Sequence, residues 1–220
     1  MTHPNNRNPP STTAGAPRGR PAGDHTAKRV ELLRAATSVI AENGYANASL
    51  RAVAQKAGCT TGAVTYYFAS RQELVIAVAE HHFDSFDAML ADVRDQTDIR
   101  TLVERWLSHT TDDPEFWPVM SQLLVHARYA PTLARVIERR YTHFRTVYTE
   151  LLATGQEQGT VRDDIPADLL ADQLAAMGDG WMIMAPFEPA RFSPSRIRAL
   201  VEAALTLITP PPCPAHGPQP

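Results

Sequence analysis

A pair of short helical patterns separated by a glycine turn constrains the fold of this chain more than any other feature. The first pattern spans 50–56 behind Ser49, and the second spans 61–67 behind Thr60, with Gly58 in the turn between them. Hydroxyl residues are favoured as helix N-caps. Two short helices joined in this way are typical of the helix-turn-helix motif, whose second helix lies in the major groove of DNA. An ordinary helical corner has the same pattern.

The remainder of the chain shows helical periodicity, and no run of alternating β-branched residues indicates a strand. An all-α fold is therefore predicted. One helix is expected over 26–43, and a long one over 71–93, where Ser70 and Glu73 form a capping box. Five further helices are expected over 98–111, 114–129, 131–158, 166–185 and 193–209, the last four with a proline at or near the start.

Charge is divided unevenly along the 220 residues. Residues 18–74 carry eight Lys and Arg against four Asp and Glu, whereas the residues after Val75 carry twelve against twenty. A basic first third on an acidic remainder suggests that only the first third meets a polyanion.

Composition excludes several classes of protein. Apolar residues make up 44% of the chain and charged residues 20%, which is typical of soluble globular proteins. No apolar run approaches the ~18 residues of a membrane helix, and the N-terminus lacks the core of a signal peptide. A cytoplasmic protein without a membrane partner is expected. Cys59 and Cys213 have neither a disulfide-framework nor a metal-binding spacing, so no metal or other cofactor is predicted.

The motif and its flanks also resemble a known family. The segment RVELLRAATSVIAENGYANASLRAVAQKAGCTTGAVTYYFASRQEL, residues 29–74, resembles the N-terminal DNA-binding domain of TetR-family transcriptional regulators. The matching elements are the "AA…GY" end of the first helix, the "SLRAVAQKAG" second helix and the "YYF.S..EL" entry to the fourth.

The resemblance implies a domain organisation and a function. The expected parts are a disordered basic arm over 1–24, a three-helix DNA-binding domain over 25–70, a helical ligand-binding and dimerisation domain over 71–209, and a disordered tail over 210–220. It also implies a homodimeric regulator, most often a repressor in this family. A small-molecule effector would release it from a palindromic double-stranded DNA operator.

A set of DNA contacts follows from the same resemblance. Ser49 and Arg51 match positions that usually face phosphates, and Arg71 matches the basic residue that opens the fourth helix. The third helix supplies contacts from its start and its end: Thr60, Thr61, Gly62, Ala63, Tyr66 and Tyr67. Thr65, also in the predicted set, stands where the family commonly has Tyr. Either a phosphate contact is lost there or Tyr66 takes it up.

The N-terminal arm contains the sequence "RGRP", in which Arg18 and Arg20 are candidates for the DNA minor groove. Flexible arginine-bearing arms reach that groove in several helix-turn-helix proteins and favour narrow A·T-rich stretches. A tail that merely improves solubility explains the same sequence.

The middle helices carry candidates for the walls of an effector pocket, which needs apolar surfaces with a few polar groups. They are Trp106, His109, Phe116, Trp117, Met120, His126, Tyr129, Tyr141, Phe144, Tyr148, Met177 and Trp181. This mixture predicts a small hydrophobic or aromatic effector with a polar end. No carboxylate or arginine cluster stands out as its anchor.

The last two helices carry apolar stripes that the family resemblance assigns to a four-helix bundle between subunits. The predicted interface residues are Leu170, Leu174, Met177, Gly178, Trp181, Leu200, Val201, Ala204, Leu205 and Ile208. Two recognition helices about one DNA turn apart, roughly 34–36 Å, can then read a palindrome. A monomer with these stripes in its own core is the alternative.

Two other functions are alternatives to a regulator. His81 and His82 suggest metal chemistry, but adjacent helical residues point about 100° apart and cannot act as an i,i+4 ligand pair. No nucleophile elbow, phosphate loop or zinc signature occurs, so an enzyme is not expected. A helical small-molecule-binding or protein-interaction module without sequence-specific DNA binding is the second alternative, and the basic second helix argues against it.

Overall fold

The computed structural model describes residues 22–94 and 99–211, and within those ranges the chain forms nine α-helices and no strand. The helices are α1 (Ala22–Asn43), α2 (Leu50–Lys56), α3 (Thr61–Tyr67), α4 (Arg71–Arg94), α5 (Ile99–Asp112), α6 (Phe116–Ala127), α7 (Pro131–Glu157), α8 (Ala167–Met184) and α9 (Pro194–Ile208). The all-α prediction is confirmed. Arg18 and Arg20 lie outside the described residues, as do most of the arm and tail.

Most predicted helix ends agree with the structure to within two residues. α1 begins at Ala22, ahead of the predicted start at Thr26, so the last residues of the predicted arm are helical. The arm was predicted from composition, which does not locate a helix end. Two short 3-10 turns, Tyr45–Asn47 and Pro189–Phe192, were not predicted. Gly44, with a φ of 84°, lets the chain leave α1 and enter the first turn.

The first three helices enclose a small apolar core that fixes the angle between α2 and α3. Ile40 of α1, Val53 of α2 and Val64 of α3 are fully buried, as is Phe68 directly after α3. The Arg29 guanidinium lies 5.3 Å from the centre of the Phe68 ring. This core holds one face of α3 against the protein and leaves the opposite face in solvent.

α4 connects the first three helices to the C-terminal helices and packs on both α1 and α7. A second core joins α4 to the C-terminal helices and includes Phe86 of α4, Leu107 of α5, Leu152 of α7 and Val201 of α9. None of the helices in the described ranges combines the length and the apolar character needed to cross a bilayer.

Charged groups reinforce the packing of α4 on α7. Arg140 of α7 is ion-paired with Glu80, Asp84 and Asp87 of α4, at nitrogen-to-oxygen distances of 3.1, 2.5 and 2.5 Å. One guanidinium thus binds three carboxylates on successive turns. α7 is therefore held along about two turns of the helix that follows α3.

A second connection between the two parts of the chain runs through α6. Gln122 donates from Nε2 to the Ile40 carbonyl at 3.1 Å, and its Oε1 accepts from the Tyr45 amide. His126, one turn later, stacks on the Tyr45 ring with 3.7 Å between ring centres. α6 therefore packs on, and is hydrogen-bonded to, the turn that directly precedes α2.

Candidate DNA interface and ligand cavity

Both short helices of the motif are capped by the hydroxyl residues that were predicted as DNA contacts. Ser49 Oγ accepts from the Ala52 amide at 3.1 Å, and Thr60 Oγ1 accepts from the Ala63 amide at 3.2 Å. A capping hydroxyl uses a lone pair and keeps its proton, so each can still donate to a phosphate oxygen. The caps therefore fix the helix starts without consuming the donors.

The predicted contact residues of α3 lie on its solvent face. Thr61, Gly62, Thr65 and Tyr66 are exposed, and Ala63 and Tyr67 are half-buried. Tyr66 keeps 74% of its surface in solvent.

The Thr65 hydroxyl is already engaged within α3. Its Oγ1 donates to the Thr61 carbonyl at 2.8 Å. A hydroxyl has one proton, so this bond leaves Thr65 no proton for a phosphate. Of the two possibilities raised by the sequence, the geometry favours Tyr66 as the donor.

The end of α3 packs against the start of α1 through a ring cluster that the sequence analysis missed. His25 lies 4.5 Å from Tyr67 and 5.7 Å from Tyr66, measured between ring centres. The two tyrosines are 5.1 Å apart in an edge-to-face arrangement. The cluster places both tyrosine rings beside the start of α1.

Arg71 has a structural role that the family resemblance did not suggest. Its Nε donates to the Ala48 carbonyl at 2.8 Å and its Nη2 to the Tyr45 carbonyl. The guanidinium also lies over the Tyr45 ring, 4.4 Å from its centre. Arg71 thus ties the start of α4 to the turn before α2, and three of its five N–H groups, two on Nη1 and one on Nη2, remain for a phosphate.

The remaining basic side chains of the motif differ in their freedom to meet DNA. Arg51 of α2 is exposed and has no ion-pair partner in the described ranges. Lys56, in contrast, is paired with Glu42 of α1 at 2.7 Å. Arg51 is therefore the freer positive charge at the face formed by α2 and α3.

One internal cavity lies between α4, α5, α6, α7 and α8, and six of the predicted ligand residues line it: Trp106, Phe116, Met120, Tyr141, Phe144 and Tyr148. The structure adds lining residues that were not predicted: His82, Phe83, Phe86, Leu174, Ala175, Gly178, Asp179 and Met182. α4 contributes three of them, so its middle part forms a wall of the cavity.

Other predicted ligand residues lie elsewhere. Tyr129 is 80% exposed, and Trp117 lines a separate surface cleft beside Phe192. Met177 and Trp181 are half-buried and pack against the second core. With His126, which stacks on Tyr45, five predicted ligand residues therefore do not line this cavity, because a helical pattern does not show which neighbour a side chain meets. The five residues are Trp117, His126, Tyr129, Met177 and Trp181. The His109 side chain is outside what the structure describes.

The cavity walls are mainly aromatic rings in mutual contact. Phe86 lies 4.6 Å from Trp106 and 4.9 Å from Phe144, and Phe144 lies 4.3 Å from Tyr148, between ring centres. These separations are those of favourable edge-to-face and tilted ring pairs. The cavity has a volume of about 40 Å³ open to the centre of a water molecule, which is room for a few waters.

A single carboxylate, Asp179, lies among the described residues that line this cavity. Its hydrogen-bond partner is the Tyr141 hydroxyl, at 3.5 Å. Burial raises the pKa of the Asp179 carboxyl above its ordinary value of 3.8. The buried position of Asp179 is hard to predict from sequence, because one acid in a helix usually faces solvent. Its place inside the apolar run from Leu174 to Met182 was the available signal.

Gly178 is needed for the position of Trp106. A methyl group added there would lie 2.5 Å from Trp106 Nε1, so we expect Gly178→Ala to displace the indole and lower the free energy of unfolding by about 1–3 kcal/mol. Gly180→Ala is the matched control, because nothing lies within 4 Å of that added methyl. It should stabilise α8 by about 0.5–1 kcal/mol. Urea unfolding followed by tryptophan fluorescence measures both changes, and equal stabilities would contradict the packing argument.

Several predicted interface residues face the protein's own core. Leu170, Leu174, Gly178, Val201, Ala204 and Ile208 are buried within the single chain, and Met177, Trp181, Leu200 and Leu205 are half-buried. The buried residues cannot supply the main contacts to a partner, because their surface is already covered. The solvent-exposed sides of α8 and of α9, together called the outward face, carry other apolar side chains, with Phe187 following just after α8: Leu169, Ala176, Ile183, Met184, Phe187, Ala203 and Leu207.

Comparison with known proteins agrees with this arrangement. A family profile described as "Bacterial regulatory proteins, tetR family" matches 32–78, and one described as "BetI-type transcriptional repressor, C-terminal" matches 95–210. HTH-type transcriptional regulator PksA of Bacillus subtilis is 24% identical over 180 residues, covering 81% of this chain and 88% of PksA.

Two solved structures share the fold. A transcriptional regulator from Saccharomonospora viridis in complex with choline has a TM-score of 0.70 and 23% identity, covering 82% of this chain and 96% of that one. A SmeT–triclosan complex has a TM-score of 0.70 and 22% identity, covering 88% and 99%.

Fold, site and comparisons together define a helix-turn-helix transcriptional repressor with a ligand-binding C-terminal domain, and not an enzyme. The chain belongs to the TetR family, and its C-terminal part is of the BetI type.

Proposed function

We propose that this chain is a homodimeric repressor that binds a palindromic operator and leaves it when a small apolar or aromatic effector enters the cavity. The observation that supports this most directly is that α4 is shared by the two sites. It begins at Arg71, which holds the turn before α2, and further along it supplies Phe83 and Phe86 to the cavity wall. A chain that binds an operator would act in the cytoplasm, where the DNA is.

The proposed DNA contacts follow from the exposed groups of α2 and α3. Thr61, Gly62 and Ala63 let the start of α3 approach the base edges closely, and threonine methyls can touch a thymine methyl. Tyr66, as an exposed hydroxyl donor, and Arg51 would bind phosphates. The other proposed contacts are Ser49, Thr60, the half-buried Tyr67 and the remaining donors of Arg71. Thr65 would contribute its methyl group alone.

The proposed dimer interface is the outward face of α8 and α9. Leu169, Ala176, Ile183 and Phe187 recur along α8 and beyond its end at seven-, seven- and four-residue steps, which place them on one side of a helix. Leu207 of α9 is 56% exposed on its own chain. Exposed apolar patches of this kind mark protein–protein contacts. A twofold pairing of this face would present two copies of α3 to one side of the DNA.

The proposed switch is a shift between two populations of the dimer. The cavity has room for only a few water molecules, so a larger effector must push the walls apart, and Phe83 and Phe86 make α4 one of those walls. α6 provides a second route from the cavity to the DNA-binding part, because its Met120 lines the cavity and its Gln122 is hydrogen-bonded to the DNA-binding part. The effector acts only to the extent that it binds the wider form more tightly.

Arg51→Ala tests the proposed DNA interface. The duplex is first selected from a random pool with the purified chain, and affinity is then measured by fluorescence anisotropy over a range of salt concentrations. We expect about tenfold weaker binding, and a salt dependence lower by about two ions per dimer, since each subunit loses one phosphate contact. Arg191→Ala is the control, because Arg191 is an exposed arginine of the C-terminal part.

Two results would contradict the proposal. The selection could fail to enrich any duplex over random competitor, as expected of a helical module without sequence-specific DNA binding. Alternatively, Arg51→Ala and Arg191→Ala could weaken binding equally, which would show a charge effect without a defined interface.

A further inference from the structure

We propose that the Pro-rich tail, residues 210–220, docks on the folded part of its own chain, in the surface cleft beside Trp117. This Trp117 cleft is separate from the internal cavity and has a volume of about 330 Å³ open to the centre of a water molecule. The start of α6 and the segment between α8 and α9 form its walls, which include Pro114, Trp117, Pro186, Pro189 and Phe192. The proposal goes beyond the function proposed above and does not depend on it.

The first argument is the chemistry of the cleft. Domains that recognise Pro-rich segments use grooves lined by aromatic rings, because such a segment is a preformed polyproline II helix with no internal hydrogen bonds. The Trp117 cleft offers two half-buried rings, Trp117 and Phe192. The indole N–H of Trp117 has no hydrogen-bond partner among the described residues, so it can donate to a carbonyl of the docked segment. The cleft therefore supplies both the rings and the donor that a Pro-rich segment needs.

The second argument is the backbone conformation where the tail begins. Thr209, the residue after α9, has φ −71° and ψ 144°, which are the angles of polyproline II. Six of the eleven tail residues are proline, which fixes φ and keeps the preceding residue out of the helical conformation. Such a segment loses little conformational freedom on docking. It has too few apolar side chains for a core of its own, so a surface of the folded part is what can hold it.

The third argument is that the tail is long enough to reach the cleft. α9 begins at Pro194, two residues after Phe192, and ends at Ile208, one residue before the tail. The 15 residues of α9 rise about 22 Å, whereas the eleven tail residues span about 34 Å in polyproline II. A tail that runs back along α9 therefore has about four residues, 217–220, left for the Trp117 cleft.

A groove marks the path of the tail along α9. A second cleft, between α5 and α9, shares Phe192 with the Trp117 cleft, and Ile197 and Val201 of α9 line it. Apolar surface thus continues from Trp117 to the middle of α9. Covalent attachment also gives the tail an effective concentration on the order of millimolar, an advantage that no free partner has. The tail is therefore the occupant that these observations favour.

The test follows Trp117 by fluorine NMR of the chain labelled with fluorotryptophan. The chain has three tryptophans, and the Trp117 resonance is identified by its loss in Trp117→Phe. We expect removal of 212–220 to shift that resonance and to leave those of Trp106 and Trp181 in place. A synthetic peptide of residues 209–220, added to the shortened chain, should return the Trp117 resonance to its position in the full chain.

The affinity of the same peptide provides matched controls. We expect the shortened chain to bind a fluorescent form of the peptide at least about tenfold more tightly than the full chain, whose attached tail competes for the cleft. Trp117→Ala should remove that binding from the shortened chain. Tyr129→Ala should keep it, because Tyr129 is an exposed ring just after α6 that does not line the cleft. A peptide with its prolines replaced by alanine should not bind.

Several results would overturn the inference: a Trp117 resonance unchanged by removal of 212–220, failure of the peptide to restore it, or equal binding of the proline and alanine peptides. Equal peptide affinity of the Trp117→Ala and Tyr129→Ala proteins would do the same. The comparisons of full and shortened chains remain decisive if Trp117→Ala misfolds, which circular dichroism would show. They leave every side chain of the described part unchanged.

Discussion

Replacing Ile183 by glutamate is expected to convert the repressor to a monomer and to weaken operator binding by at least about a hundredfold. Ile183 is 43% exposed on the single chain, so a glutamate there stays hydrated in the monomer. In the proposed dimer the same carboxylate would be buried among apolar groups, which costs several kcal/mol for each ion. Each 1.4 kcal/mol corresponds to a factor of ten in the dissociation constant.

Sedimentation velocity measures the oligomeric state, and anisotropy with the selected duplex measures DNA affinity. Val125→Glu is the matched control. Val125 is an apolar side chain of α6 that is 65% exposed and lies outside the outward face of α8 and α9. That variant should sediment as the wild type does. A dimeric Ile183→Glu protein with normal operator affinity would refute the proposed interface.

The prediction also shows where a sequence stops determining a structure. The first residues of α2 and α3 were predicted correctly, because Ser49 and Thr60 cap these helix starts by accepting from amides three positions further along. Such local rules depend on nothing distant in the chain. The sequence did not determine which face of α8 and α9 would meet a partner, because each helix is apolar on two sides. Periodicity identified Leu174 and Val201 as buried, but not whether their own chain or a partner covers them.

The cavity and the links between domains illustrate the same limit. Six aromatic or methionine residues were brought to one cavity as expected, because large apolar side chains on middle helices collect in the interior. His126 was assigned to the cavity from composition but stacks on Tyr45, 81 positions earlier in the chain. Arg71 was expected on DNA and spends two donors on backbone carbonyls. Contacts between distant segments carry no short-range signature in the sequence.

A pair of aromatic substitutions two positions apart separates folding from DNA recognition. Phe68 is fully buried between α1 and α3, so Phe68→Ala should lower the free energy of unfolding by about 3–5 kcal/mol. The loss includes the contact with the Arg29 guanidinium. We expect the helix-turn-helix domain to unfold at a lower denaturant concentration and operator binding to be lost with it.

Tyr66→Ala is the counterpart, because 74% of that side chain is in solvent. Removing a mostly exposed ring leaves no internal cavity. The free energy of unfolding should therefore change by less than about 1 kcal/mol, which includes the lost ring contact with Tyr67. Operator affinity should nevertheless fall by about tenfold, through loss of a phosphate donor that Thr65 cannot replace. Urea unfolding and anisotropy on both variants distinguish the two roles. If Tyr66→Ala bound the operator as well as the wild type, the exposed end of α3 would not be a DNA contact, whatever the behaviour of Phe68→Ala.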